Sequence, residues 1–414
     1  MEYLEIIQSE VEGMVLISGS KNISLPLICS CLLKRGKYHF ENVPDIKDVR
    51  TLLTILNVLN VSCELKNNTL ILDSSNYILT EIPFELIKMC RASYYLLGAI
   101  LTQYEELVFT YPGGCSFQER PINYHLDAFR NLGFDIKNEE DKILFRKVKK
   151  ESDEITFPKA SVGATINVLL YASTKLKKLV INNPSHDFEV KEIINYLNKM
   201  GCFIYYEGNK LYVYGTNNLS ISKYCIPYDR IEAGTYILLG LMCGKLLILG
   251  VDYQVNKSLF DFLDNLKVPY VYSHSSIKIN RFTPSKSVKI TLSNDPSLHT
   301  DLGPILCVFL ATNNKICIIE DLIYEKRNGY IEELKKLGFK IKIINSKIII
   351  FPHSTFKEAV LYGKDLRGTM SLLCASILSK KKIKLYGQEF LQRGYENYLE
   401  KLKNINVNIR SNYE

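Results

Sequence analysis

VGATINVLLYASTKLKKLVINNPSHDFEVKEIINYLNKMGCFIYYEGNKLYVY, residues 162–214, holds one complete structural period of the chain. It opens on an apolar, small-residue-rich helical pattern (162–174) and continues with a Lys-led strand (178–182). Val190, Ile193, Ile194, Leu197 and Met200 then fall at helical spacing. Two alternating strands, 203–206 and 211–214, close the period across Gly208-Asn209, a hairpin signal. The same order recurs six times, at intervals of roughly 65–70 residues.

The six first helices are predicted at 22–34, 92–102, 162–174, 232–243, 302–311 and 366–378. Strands follow them at 37–42, 106–110, 178–182, 245–249, 315–320 and 382–386. The second, amphipathic helix shows as Val49, Leu52, Leu53, Leu56 and Leu59 in the first period, and as Tyr395, Leu399 and Leu402 in the sixth. The sixth period ends early, after Val407-Asn408-Ile409. A break at 224–228 parts the six into two groups of three, and a strand pattern at 3–7 and 13–17 is left over to join the second group. The predicted fold class is α/β (α+β), with two domains of three βα-type repeats each. The first domain spans 21–227; the second combines 1–20 with 228–414. A chain of 414 residues is too long for one ordinary core, which agrees with this division.

Hydrophobic content of 47% with 23% charged residues describes a folded globular chain. The formal charge of +8 is dispersed apart from Lys380-Lys381-Lys382-Lys384, and no basic stripe is interleaved with aromatics, which argues against nucleic acid. Eleven cysteines, an odd number set mostly in apolar runs, read as buried free thiols of a reducing cytosol. No CxxC or HxxxH spacing suggests a metal centre. Met1-Glu2-Tyr3-Leu4-Glu5 lacks the features of a signal peptide. The longest apolar run, 236–251, is interrupted by Lys245 and too short to span a bilayer. A cytoplasmic protein with no membrane partner is expected.

Each first helix has a polar lead-in: Ser20-Lys21-Asn22, Arg91-Ala92-Ser93, Lys159-Ala160-Ser161, Asp229-Arg230, Thr300-Asp301 and Asp365-Leu366-Arg367. Helix N-termini present unpaired N–H groups that attract anions. Capping alone accounts for Ser161, and for Asp301 or Asp365. It does not account for Lys21, Arg91 or Arg367, since a cation at a helix start is disfavoured unless an anion sits there. A shaped loop, Tyr111-Pro112-Gly113-Gly114-Cys115-Ser116-Phe117-Gln118-Glu119-Arg120-Pro121, adds a thiol with a guanidinium five residues on. A nearby cation makes a thiol reactive; the plain alternative is a turn with a filler cysteine.

Taken in order, these segments resemble the enolpyruvyl transferase family, and within it the branch whose acceptor is UDP-N-acetylglucosamine. The resemblance is carried by Gly19-Ser20-Lys21-Asn22 with Pro26, Arg91-Ala92-Ser93, Pro112-Gly113-Gly114-Cys115 with Arg120-Pro121, and Ser161-Val162-Gly163-Ala164-Thr165. It continues through Asp229-Arg230-Ile231-Glu232, Thr300-Asp301, Asp365-Leu366-Arg367 and Arg393-Gly394-Tyr395, so that it covers about 13–402. It implies three βαβαββ-like repeats in a pseudo-threefold arrangement in each domain, with the active-site cleft between the two. The implied substrates are phosphoenolpyruvate and UDP-N-acetylglucosamine, joined by addition and elimination through a tetrahedral ketal with release of phosphate, at the first committed step of peptidoglycan synthesis. No metal or organic cofactor is implied, and a monomer or weak homo-oligomer is expected.

By the same resemblance, Cys115 matches the proton donor and Asp301 the carboxylate facing the sugar hydroxyl. Lys21, Arg120, Arg367 and Arg393, with Arg327, match the cations that grip phosphoenolpyruvate. The substrate-binding set is Asn22, Arg91, Pro121, Ile122, Asn123, Tyr124, Lys159, Ala160, Ser161, Val162, Gly163, Ile323 and Asp365. The chain departs from the family pattern at Asn123, His186 and Gln392, and in Pro296-Ser297-Leu298-His299, which lacks the loop's second proline. Two alternatives stay open. One is a family member with another acceptor, such as shikimate 3-phosphate or a specialised metabolite, although the shikimate enzyme uses no Pro-Gly-Gly-Cys loop. The other is a catalytically idle descendant that binds a sugar nucleotide. His125, next to the loop, reads as a packed or capping histidine.

Overall fold

The computed structural model of the chain describes residues 2–113, 122–149, 152–352 and 355–413. These fall into two compact units, one of 19–227 and one of 2–18 with 228–413. Each has its own hydrophobic core.

The third period follows its sequence closely. Ser161 caps Val162–Lys175, its hydroxyl accepting the Ala164 N–H at 3.3 Å. Leu179–Asn182, the amphipathic helix Phe188–Lys199 and the hairpin Phe203–Glu207 with Lys210–Tyr214 come next, the hairpin turning at Gly208 with φ +57°. Glu154–Thr156 adds in parallel at the sheet's edge. Three other hairpins turn at Asn67-Asn68, His274-Ser275 and Asn345-Ser346, with both central residues at positive φ, the primed geometry that matches strand twist.

The first helices Lys21–Cys29, Arg230–Cys243, Gly303–Leu310 and Leu366–Ser379 are buried on almost every side, as helices without a polar face must be. In the 228–413 unit, Arg230–Cys243, Gly303–Leu310 and Leu366–Ser379 pack on one another. In the 19–227 unit, Tyr95–Ile100 packs on Lys21–Cys29 and Val162–Lys175.

The second period departs from expectation. A single helix over 92–102 is replaced by a 3-10 turn, Arg91–Tyr94, followed by the short helix Tyr95–Ile100. Asn167 is the cause. Its Nδ2 donates to the Tyr94 carbonyl (2.8 Å), and its Oδ1 accepts the Gly98 N–H (2.6 Å). In a continuous helix those two main-chain groups would bond each other, so the carboxamide stands inside the ladder. A Cβ on Gly98 would lie 2.2 Å from the Asn167 carbonyl oxygen, which is why glycine occupies the contact.

The ends of the chain also rearrange the simple picture. The sixth period has one strand of its own after the second helix, Ile409–Tyr413, and Glu2–Ile6 supplies the other, antiparallel to both Ile383–Tyr386 and Ile409–Tyr413. Val11–Leu16 instead pairs in parallel with Gly244–Leu249, so the leftover N-terminal pattern serves two sheets. The mid-chain break contains Tyr224–Cys225, which completes the first sheet beside Lys37–Glu41. There the chain leaves one unit for the other: Ser20 N–H donates to Pro227 O (2.7 Å), and Asp229 N–H to Ser18 O (2.8 Å).

Candidate active site

In the 228–413 unit the first helices bring their polar lead-ins together around Asp301. That residue lies in the 3-10 turn Thr300–Leu302, directly before Gly303–Leu310. Its Oδ1 accepts from Arg327 Nη1 at 2.8 Å, and its Oδ2 from Arg367 Nε at 3.2 Å. Both arginines are buried. Burial works against their charge, but for Arg327 the Asp301 carboxylate and the Tyr324 phenol outweigh it, and for Arg367 Tyr395 and Asp301 do so, and both stay cationic. Tyr324 lies under the Arg327 guanidinium at 4.3 Å and Tyr395 beside Arg367 at 5.4 Å, contacts that suit a desolvated cation. An oxygen that accepts from a guanidinium retains a second lone pair. The arrangement therefore presents a carboxylate able to take a hydroxyl proton, with cationic charge on both sides.

The flanking groups hold this cluster. Asp365 caps Leu366–Ser379, its Oδ1 accepting the Arg367 and Gly368 N–H groups, which is the capping alternative for that residue. Asp321 Oδ1 accepts the N–H groups of Ile323 and Tyr324 (2.9 Å each), and its Oδ2 accepts the Thr300 hydroxyl at 2.5 Å. Asp229 caps Arg230–Cys243, and Arg230 pairs with Asp295 at 2.6 Å. Arg393 stands half-buried after the short helix Gln388–Leu391, two residues before the Tyr395 that meets Arg367.

In the 19–227 unit, Lys21 begins its helix and pairs with the buried carboxylate of Asp48 at 2.8 Å. Asn22 follows it, half-buried. Arg91 faces the Tyr94 ring at 5.8 Å, and Tyr94 packs on His125 at 4.6 Å. His125 is buried, shares a hydrogen bond with Asn167 Nδ2 at 3.0 Å, and is pushed down to about 3 by burial and then by Arg91. It is a packed, neutral histidine, as its sequence context indicates. Gly163 sits tight against this group: a Cβ there would come within 2.8 Å of the Tyr94 hydroxyl and 3.1 Å of the His125 ring. Lys159 is exposed, and Ala160, Ser161 and Val162 are half-buried. Ile122 is buried before Asn123–Asn131, whose first residue is exposed and whose Tyr124 is half-buried.

Thus Asp301, Arg327, Arg367 and Asp365 meet in one unit, while Lys21, Asn22, Arg91, Tyr124 and the 159–163 segment belong to the other. Cys115, Arg120 and Pro121 lie outside the described residues. A cation at these helix starts does not by itself call for a bound anion, because the chain supplies Asp48 to Lys21 and Asp301 to Arg367. Sequence reading missed Asp48, Asp321, Tyr324 and the contact of His299 with the Asp301 turn. Two open concavities of about 520 and 550 Å³ lie on the third period, lined by residues such as Asn183, Glu207 and Tyr212, and by Glu192, Lys199 and Tyr224; none of the candidate residues lines them. Among the described residues no helix is long and apolar enough to cross a membrane.

Known proteins match nearly the whole length of the chain. Residues 6–402 match the family described as EPSP synthase (3-phosphoshikimate 1-carboxyvinyltransferase). The chain is 31% identical over 402 residues to a UDP-N-acetylglucosamine 1-carboxyvinyltransferase of Kosmotoga olearia, covering 96% of each. It is 32% identical over 414 residues to the protein of that name in Pelagibacter ubique, covering 99% of each. The fold matches that of the enolpyruvyl transferase NikO from Streptomyces tendae with a TM-score of 0.90 at 20% identity, over 99% of both chains. With a family model matched over residues 6–402 and relatives 31–32% identical over nearly their full length, this chain belongs to the enolpyruvyl transferase family.

Proposed function

We propose that the protein transfers the enolpyruvyl group of phosphoenolpyruvate to the 3-hydroxyl of UDP-N-acetylglucosamine, releasing phosphate. The observation that carries this reading is the Asp301 carboxylate held between two buried arginines at the start of a helix. The names of the relatives in Kosmotoga and Pelagibacter support the choice of acceptor. In this scheme the sugar oxygen bonds to C2 of the enol and Asp301 accepts its proton, while Cys115 delivers a proton to the C3 methylene. The resulting tetrahedral ketal then returns a C3 proton to the Cys115 thiolate and expels phosphate, which takes up the proton held by Asp301, and the double bond is restored. Phosphoenolpyruvate carries a carboxylate and a phosphate, and arginine can grip either in two-point fashion. Arg327, Arg367 and Arg393 take that role, with Lys21 and, by the resemblance, Arg120. Asn22, Arg91, Tyr124 and the 159–163 segment address the sugar nucleotide. The step would commit that nucleotide to peptidoglycan synthesis, in the cytoplasm and without a cofactor.

The family description keeps shikimate 3-phosphate as the rival acceptor. Phosphate release from phosphoenolpyruvate should therefore be followed with each acceptor in turn. Release that depends on UDP-N-acetylglucosamine is expected. Release that depends on shikimate 3-phosphate would replace this reading with the rival, and no release with either would favour an idle binding protein.

A further inference from the structure

We infer that His299 is a positioning residue for Asp301: its imidazole Nδ1 accepts the Asp301 main-chain N–H and fixes the turn from which the carboxylate projects. The inference rests on the reading of Asp301 as the reacting carboxylate. His299 is the extended residue (φ −67°, ψ 135°) immediately before Thr300–Leu302, and its ring nitrogen lies 3.1 Å from the Asp301 nitrogen. This is the bond that serine, threonine, aspartate or asparagine usually makes at such a position. Here it is made by an imidazole, in the Pro296-Ser297-Leu298-His299 stretch that departs from the family pattern.

Two further features make the device specific. Nδ1 can accept only if the ring is neutral with its proton on Nε2. Burial, and then the neighbouring Arg230 guanidinium, hold His299 well below the ordinary histidine value against the opposing pull of the Asp301 and Asp295 carboxylates, and Arg230 is itself fixed by Asp295. On the other side of the turn, the Thr300 hydroxyl is tied to Asp321, which also holds Ile323 and Tyr324. The Asp301 turn is thus clamped through its N–H by His299 and through Thr300 by Asp321. Removing one clamp leaves both arginine partners in place but frees the direction of the carboxylate, and a misplacement of about 1 Å can cost on the order of 100-fold in rate.

The test uses His299→Ala and His299→Asn in the full chain. His299→Ala is expected to lower kcat by roughly 10- to 100-fold, with KM for phosphoenolpyruvate within about threefold of the parent. His299→Asn, which restores a side-chain acceptor, should recover most of the loss. Rates are taken per folded molecule, so a purely structural role would leave kcat unchanged. A parental kcat in the alanine variant, or an asparagine variant no better than alanine, overturns the inference. A second measurement separates this from the function itself: nitrogen-15 spectra of labelled histidine report which ring nitrogen of His299 is protonated. If the parent protein transfers to no acceptor, the proposed function fails, yet a proton-free Nδ1 still supports the contact. A protonated Nδ1 removes it.

Discussion

Asp301→Asn is expected to lower kcat by about 10²- to 10⁴-fold, the range that a well-placed acid or base contributes. The substitution keeps the shape of the side chain, so packing around Thr300–Leu302 should hold. Asparagine cannot accept the proton of an attacking hydroxyl, and its NH₂ group must face one of the two guanidiniums that now donate to the carboxylate. The kinetic signature follows from that geometry. Loss confined to kcat marks an interaction made in the transition state, whereas a rise in KM alone would mark lost substrate grip. Asp301→Ala is the harsher control, because it leaves Arg327 and Arg367 buried without this anion. Near-parental kcat in the asparagine variant would remove Asp301 from the chemistry.

The second large effect concerns stability. Lys401→Met is expected to cost about 3–5 kcal/mol, the usual result of taking away one partner of a buried ion pair. Glu232 lies almost fully buried in Arg230–Cys243, accepting from Lys401 Nζ at 2.7 Å and from the Ser18 N–H at 2.7 Å. Lys401 also donates to the Ser18 hydroxyl at 2.6 Å, so this one ammonium ties the helix to the point where the chain leaves the unit. Burial already raises the Glu232 carboxyl above its ordinary value, with Lys401 opposing the rise. A folded-state value raised in this way stabilises the fold below the unfolded value and is lost as pH rises through the folded one. Without the lysine the rise grows. The deficit of Lys401→Met, measured by urea unfolding, should therefore shrink as pH falls and Glu232 takes up a proton. A deficit that is constant with pH would show that Glu232 is not the group left uncompensated.

Much of the architecture was legible because its signals are local. Val162–Lys175 shows its cap, its apolar character and the hairpin that follows within one stretch of chain. Glu2–Ile6 does not announce its partners: its pairing with Ile383–Tyr386 joins segments from opposite ends of the sequence, and alternation alone cannot choose among strands. The split of the second core helix was invisible for a similar reason, since it depends on Asn167 reaching across from another helix.

The candidate site divides along the same line. Lys21 and Arg367 stood out because cations are unusual at helix starts. Asp48 did not, since an acid in the first turn of Lys47–Val58 is what the helix dipole favours anyway. Asp321 and Tyr324 read as a strand end and a loop aromatic, and only folding shows that they brace Arg327 and the Asp301 turn.

The central claim, transfer of an intact three-carbon enol group to a sugar nucleotide, is tested most directly with phosphoenolpyruvate carrying carbon-13 at all three carbons. After incubation with the protein and UDP-N-acetylglucosamine, the three labelled carbons should appear together in an ether at the sugar 3-position, with one phosphate released per transfer. Label that stays in phosphoenolpyruvate, or that moves only to shikimate 3-phosphate when both acceptors are offered, would contradict it.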